Sequence, residues 1–121
     1  MVFKKMRIFN QYLEEKRLDR TWYDSSNVIY SECLDKEDDY KELTVVFSNG
    51  TRYVYHKVNV MDYMVFREDM SQGKALNRLI KKNGYKYDKL ENVDTNAIIE
   101  EMKSLNEKSE ILNESKETTN E

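Results

Sequence analysis

The stretch from Leu43 to Tyr55 constrains the fold most, because it places an Asn-Gly pair between two runs of β-branched and aromatic residues. Asn49 and Gly50 both tolerate the left-handed backbone that a tight hairpin turn requires. The flanking runs have the composition of strands that are at least half buried. The pattern therefore predicts an antiparallel hairpin, and with it a sheet, near the middle of the chain.

A two-residue loop at this turn predicts the register of the hairpin. The expected cross-strand pairs are Ser48–Thr51, Phe47–Arg52, Val46–Tyr53, Val45–Val54 and Thr44–Tyr55. One face would then carry Leu43, Val45, Phe47 and Val54, and the other Val46, Tyr53 and Tyr55. Both faces are partly apolar, so the sheet needs cover on both sides. A local helix can cover one face; a terminal helix or a second copy of the chain must cover the other, which favours a homodimer.

The hydrophobic periodicity of the remaining chain predicts further elements. These are a helix over residues 4–19, a strand over Ser26–Leu34 with Val28 and Tyr30 on one side, a charged turn over residues 35–39, a helix over Val60–Met70, a helix over Ser71–Lys82 that ends at Asn83-Gly84, and a helix over residues 95–112 with Ile98, Met102, Leu105 and Leu112 on one seam. Residues 113–121 are polar and expected to fray. The expectation is a single α+β domain over residues 1–121. It has a small antiparallel sheet packed with helices, plus N- and C-terminal helices.

Composition narrows the classes of function. Charged residues make up 36% of the chain and the net charge is −3, which argues against wrapping duplex nucleic acid. No apolar run approaches membrane-spanning length and no secretory signal is visible, so we expect no membrane association. The single cysteine, Cys33, is typical of a protein of the reducing cytoplasm.

The segment from Ser71 to Lys81 has the features of an anion-binding helix start. Ser71 is a favourable N-cap and Gly73 permits close approach of another group. The residues that share its polar face are Lys74, Asn77, Arg78 and Lys81. Free N–H groups beside such a stripe favour a phosphate. The same stripe is also typical of the solvated face of an amphipathic helix, so both interpretations stay open at this point.

The order of these motifs resembles the KTSC domain, a small domain named from the C-terminus of some lysyl-tRNA synthetases and common in phage and bacterial proteins. The resemblance covers about residues 24–82 and rests on Asp24-Ser25-Ser26-Asn27-Val28, the stretch Leu43 to Tyr55, Val58, Tyr63, Phe66, Ser71-Gln72-Gly73-Lys74 and Asn77. Asn59 stands where the family often has proline. The residues outside this core would be N- and C-terminal extensions.

A chain of this size with extensions at both ends also resembles the phage anti-Thoeris sponge proteins. That resemblance implies a phage or prophage protein of the host cytoplasm that evades immunity as a homodimer or higher homo-oligomer. It would bind a cyclic ADP-ribose isomer made by a TIR-domain defence enzyme and hold it without cleavage. Small cyclic oligonucleotides are a further ligand class that the resemblance implies. The alternatives are an RNA- or tRNA-binding accessory module and a phage protein-interaction module.

Catalysis has little support in the residues. His56 is the only histidine and Cys33 the only cysteine, and neither lies in a motif with a partner base or further metal ligands. We therefore predict no enzyme activity, no catalytic residue, no metal and no cofactor.

Binding of a cyclic nucleotide requires cations for phosphate, polar groups for ribose and a flat ring for the base. The residues that offer these groups are Trp22, Tyr23, Ser25, Ser26, Asn27, Phe66, Ser71, Gln72, Gly73, Lys74, Asn77, Arg78 and Lys81, with Tyr53 as a further candidate ring. Two of these assignments have competing explanations. Phe66 is spaced as a core residue of its helix, and Ser25 to Asn27 suit a strand-entry turn.

Overall fold

A computed structural model of the chain describes residues 8–23, 27–36, 40–69 and 71–105. Six strands form one antiparallel sheet in chain order, each pairing with the next. They are β1 (Ile8–Leu13), β2 (Leu18–Tyr23), β3 (Val28–Asp35), β4 (Lys41–Phe47), β5 (Arg52–Val58) and β6 (Tyr87–Leu90). The predicted parts outside the described residues are 4–7, Ser25, Ser26, 37–39, Met70 and 106–121.

Helices lie on both faces of this sheet, and the α+β fold class is confirmed. They are α1 (Val60–Glu68), α2 (Gln72–Ala75) with its π-helical continuation Leu76–Lys81, and α3, which is helical over residues 95–105. The Asn59 side chain caps α1 by accepting from the N–H of Met61 at 2.7 Å. Gly84 follows the π-helical segment with φ of 74°, in agreement with the predicted stop at Asn83-Gly84. None of the helices described is long and apolar enough to span a membrane.

The predicted N-terminal helix is wrong within the described residues. β1 and β2 form a hairpin there, and the charged residues between them make a 3-10 turn over Glu14–Lys16 that ends at Arg17 with φ of 54°. The physical reason is cross-strand packing of aromatic rings. Phe9 faces Trp22 at a centroid distance of 5.5 Å, and Trp22 faces Tyr30 at 5.0 Å. These contacts outweigh the local helical periodicity.

The predicted hairpin exists, but its register is wrong by one residue. Val46 pairs with Arg52 and Val45 pairs with Tyr53. The loop has three residues rather than two, because the N–H of Phe47 donates to the carbonyl of Thr51 at 2.9 Å and Gly50 has φ of 90°. Since side chains alternate along a strand, this one-residue shift moves the β5 tyrosines to the opposite face from the one predicted.

The predicted strand at Ser26–Leu34 is found as β3, but Val28 and Tyr30 do not share a face. A bulge between them shifts the register against β4. Val28 therefore packs under α1 and α2, whereas Tyr30 packs on the other face with Trp22 and Val46.

Each face of the sheet has its own core. The larger core lies under α1, α2 and the π-helical segment, and includes Leu43, Val45, Tyr55, Phe66 and Ile80. On the opposite face, the smaller core of Trp22, Tyr30 and Val46 is covered by Ile98, Met102 and Leu105 of α3, which confirms the described part of the predicted seam.

Two polar contacts join α3 to the smaller core. The Trp22 indole N–H donates to the carbonyl of Ile98 at 3.2 Å, and Arg20 pairs with Glu101 at 2.7 Å. A terminal helix of the same chain thus covers the face that suggested a second copy. An uncovered sheet face therefore no longer supports the expected homo-oligomer, and that expectation rests on the family resemblance alone.

Candidate functional site

The predicted helix start at Ser71 is real, but its polar groups are used within the fold. Ser71 Oγ accepts from the N–H of Lys74 at 3.4 Å. The buried Gln72 amide donates to the carbonyl of Asp69 at 2.6 Å and so closes the C-terminal end of α1. Arg78 pairs with the Asp69 carboxylate at 2.8 Å. Ser71 therefore caps α2, while Gln72 and Arg78 link this helical segment to the end of α1, which explains all three without a ligand.

The π-helical segment divides the predicted polar stripe. A wider turn, marked by the Lys82 N–H donating to the Asn77 carbonyl at 3.2 Å, separates Lys81 from the earlier part of the stripe. Lys81 lies beside Tyr53 of β5, whereas Arg78 lies beside Asp69 at the end of α1. The four residues thus do not act as one surface, and Lys81 lines a cleft that also contains sheet residues.

Lys81 and Tyr53 stand between two neighbouring clefts. The first, which we call the hairpin cleft, has a volume of about 320 Å³. Its lining residues are Asn27, Phe47, Ser48, Asn49, Thr51, Tyr53 and Lys81. The cleft thus combines amides, hydroxyls and two aromatic rings around one cation. The Asn49 side chain also accepts from the N–H of Thr51 at 3.0 Å, which fixes the shape of the turn.

The second, which we call the tyrosine cleft, has a volume of about 490 Å³ and is lined by Tyr53, Tyr55, Lys81, Gly84, Tyr85 and Tyr87. Three of its rings contact one another: Tyr53 and Tyr55 lie 5.7 and 5.5 Å from Tyr87, between ring centroids. The Tyr85 side chain is fixed by its hydroxyl, which donates to Asp62 of α1 at 2.6 Å. Both clefts fall in the size range of small-molecule sites, about 300–1,000 Å³.

Comparison with protein families shows which part of the chain contains these clefts. The KTSC domain matches residues 25–85 of this chain, which is half of its length. The chain belongs to the KTSC domain family. The match confirms the resemblance found in the sequence, while the resemblance to the sponge proteins stays a prediction. No curated protein and no solved structure matches the chain.

The KTSC match takes in every residue of the hairpin cleft and ends at Tyr85 of the tyrosine cleft. β1, β2, β6 and α3 lie outside it. β6 extends the sheet at the edge of β5 and brings Tyr87 into the tyrosine cleft. One wall of that cleft is therefore built by a strand outside the family match.

Within the KTSC domain, Asn27 and Gly73 come into direct contact. A Cβ atom added to Gly73 would lie 2.7 Å from the Asn27 side-chain nitrogen. The carbonyl of Asn27 also accepts from the N–H of Ser48 at 2.7 Å. Asn27 thus joins the hairpin turn to the start of α2, and a side chain at position 73 would require the Asn27 amide to shift.

Three predicted aromatic ligand residues are core residues instead. Trp22, Tyr23 and Phe66 are 1%, 4% and 0% exposed, so a ligand base cannot reach their ring faces in this fold. Tyr23 donates to or accepts from Ser31 at 2.8 Å, within the sheet. Their assignment to ligand binding is therefore corrected, and the core explanation of Phe66 is the right one.

Of the other predicted residues, the structure brings Asn27, Gly73 and Lys81 together near the clefts. Lys74 and Asn77 lie exposed on the helix and line neither cleft. The prediction missed most of the cleft residues, namely Phe47, Ser48, Asn49, Thr51, Tyr55, Gly84, Tyr85 and Tyr87. The alternation in Tyr53-Val54-Tyr55 was a usable signal, because it places two tyrosines on one face of β5, and Tyr87 is the Cα partner of Tyr55 on β6.

His56 and Cys33, the two residues considered for catalysis, both lie on strands of the sheet. His56 lies between Asp88 at 2.8 Å and Glu42 at 3.3 Å, and so links β5 to its neighbours. Burial raises the pKa of the Cys33 thiol to about 12, which keeps it protonated at neutral pH. Among the described residues, no group of three or more histidine, cysteine and acidic side chains is placed to hold a metal ion.

Proposed function

We propose that this KTSC protein binds a cyclic ADP-ribose isomer in the hairpin and tyrosine clefts and holds it without cleavage. The signal made by a TIR-domain enzyme would then not reach its Thoeris effector, as expected of a phage or prophage protein acting in the host cytoplasm. The observation that carries the proposal is the position of Lys81, a single cation shared by a polar cleft and an aromatic one.

The chemistry of the lining suits the three parts of such a ligand. Lys81 can neutralise a phosphate at the junction of the clefts. Hydroxyl and amide groups of Ser48, Asn49 and Thr51 suit the ribose hydroxyls. The ring of Tyr87, which is 59% exposed, offers a face on which an adenine base can stack.

A protein that sequesters a signal must bind it tightly. Nanomolar affinity requires roughly −12 kcal/mol, more than one small open cleft usually supplies. Assembly of two or more copies around the ligand would enclose it further, and the proposal therefore includes a homo-oligomer.

Calorimetry with cyclic ADP-ribose isomers, followed by mass spectrometry of the ligand released on denaturation, tests the proposal. We expect binding of at least one isomer and recovery of the intact ligand. Absence of binding to every isomer, or recovery of a cleaved product, would overturn it.

A Lys81→Ala variant tests whether the site is correctly placed. We expect about a tenfold or greater loss of affinity, because a charged contact to phosphate is removed. Lys82→Ala removes the neighbouring exposed charge and should bind as the wild type does. The double variant Lys74→Ala with Arg78→Ala is a second control, since those residues line neither cleft; loss of binding there would move the site to the helix face.

A protein-interaction module is the second candidate, and the exposed face of α1 favours it. Met61, Met64 and Val65 are 63%, 43% and 45% exposed on consecutive turns of that helix. This candidate predicts a specific protein partner in pull-down experiments and no small ligand in calorimetry.

A further inference from the structure

The tyrosine cleft is lined by a largely buried tyrosine whose hydroxyl group the fold does not use. Tyr55 is 2% exposed, and its hydroxyl has no hydrogen-bond partner among the described residues. No described side-chain nitrogen or oxygen that is fully cut off from solvent lacks a partner. The Tyr55 hydroxyl must therefore open into the cleft that its side chain lines. A hydroxyl that opens into a cleft without a partner from the protein is available to bond a ligand.

The surroundings of this hydroxyl favour an acceptor with negative charge. The lining residues of the tyrosine cleft include Lys81 and four tyrosines, and no carboxylate. Burial, with a smaller effect of the Tyr53 and Tyr87 phenols, raises the pKa of Tyr55 to about 12. The Tyr55 hydroxyl is therefore protonated at neutral pH and can donate, beside an ammonium group that can only donate.

We propose that Tyr55 and Lys81 together recognise a phosphate oxygen at the floor of the tyrosine cleft, which makes Tyr55 a specificity-determining residue. This inference rests on the proposed function only in assigning that phosphate to a cyclic nucleotide; the site itself would take other phosphate esters and pyrophosphate. The base of a nucleotide would then lie toward the exposed Tyr87 ring, at the mouth of the cleft.

The substitution Tyr55→Phe isolates this role, because it removes one oxygen and keeps the ring contacts. The matched control is Tyr12→Phe, which removes the same atom from a ring that is 54% exposed on β1. Calorimetry of the wild type and both variants uses two probes, pyrophosphate and the cyclic ADP-ribose isomer that binds best. We expect Tyr55→Phe to weaken both by about tenfold or more, since hydrogen bonds to charged groups are the strong ones. Tyr12→Phe should weaken neither.

Thermal unfolding without ligand provides the second measurement. A hydroxyl that stabilises the fold would lower the unfolding temperature when removed, as expected for a buried partnered group. We expect Tyr55→Phe to leave that temperature unchanged or raise it, because the hydroxyl has no internal partner. A lowered temperature would overturn the inference.

The two probes separate this inference from the proposed function. If no cyclic ADP-ribose isomer binds but pyrophosphate binding depends on Tyr55, the proposed function fails and the phosphate site stands. If an isomer binds equally well to wild type and Tyr55→Phe, the proposed function stands and the role of Tyr55 fails. If neither probe binds the wild type, both fail.

Discussion

At the two ends of the helix-covered face of the sheet, polar side chains differ in whether they have hydrogen-bond partners within the protein. Near β1 and β2, the Asp19 carboxylate accepts from Tyr63 at 2.5 Å, from Arg67 at 2.9 Å and from Asn10 at 2.9 Å. Near β5 and β6, the hydroxyl of Tyr55, which opens into the tyrosine cleft, has no partner among the described residues. At the first end, the carboxylate is fully paired within the protein. At the second end, a hydroxyl donor without a protein partner lines the same cleft as Lys81.

This difference distinguishes polar groups that the fold already uses from polar groups that are available to a ligand. A carboxylate with three internal donors has little capacity left for another molecule, although its own cleft is lined by Arg17, Lys41 and Arg67. A cleft with an unpaired donor and no carboxylate in its lining has that capacity. Counting charged residues alone would favour the end whose carboxylate already has three internal donors.

Asp19→Ala removes the carboxylate that is paired within the protein, and should have the largest effect on the free energy of unfolding. It leaves Arg67 and Tyr63 partly buried without their shared acceptor, which costs about 3 kcal/mol of unfolding free energy. Urea denaturation monitored by tryptophan fluorescence measures the loss.

Asp35→Ala is the control for that measurement, because Asp35 pairs with Arg17 and Lys41 in more exposed surroundings. We expect a clearly smaller change there, as for most surface ion pairs. Equal losses in the two variants would remove the contrast between the two ends of the face.

Stability at alkaline pH tests the surroundings of Tyr55, at the other end of this face. The folded state raises the pKa of Tyr55 from 10 to about 12, so it favours the protonated phenol. The stabilisation this provides is complete below pH 10 and is lost as the pH rises through 12. The unfolding free energy of the wild type should therefore fall more steeply in this window than that of Tyr55→Phe. Parallel curves for the two proteins would contradict the buried position of Tyr55.

Gly73→Ala tests the contact that joins the hairpin cleft to α2, and should have the smallest of these effects. Alanine in a helix normally stabilises by about 1 kcal/mol relative to glycine. Here the new Cβ would lie 2.7 Å from the Asn27 side chain, so we expect that gain to be cancelled or reversed. The double variant with Asn27→Ala should recover it, as a double-mutant cycle would measure. Full stabilisation by Gly73→Ala alone would show that Asn27 moves aside freely.

Local signals predicted much of the fold and little of the candidate site. The cap Ser71 and the stop at Gly84 were predicted because each satisfies or ends a backbone pattern within a few residues. The N-terminal strands were not readable, since their stability depends on the Trp22 contacts with β3 and α3. Lys81 was recognised as a candidate cation, but its tyrosine neighbours come from β5 and β6.

The sequence by itself determined the central hairpin, the helices after it, the apolar seam of α3 and the membership of the KTSC domain family. Tertiary structure decided the hairpin register, which set the face occupied by Tyr53 and Tyr55, and it decided which rings are core and which line a cleft. The physical reason is that capping, turn formation and periodicity act over a few residues. The partners of a side chain depend instead on strands and helices that pack together from distant parts of the chain.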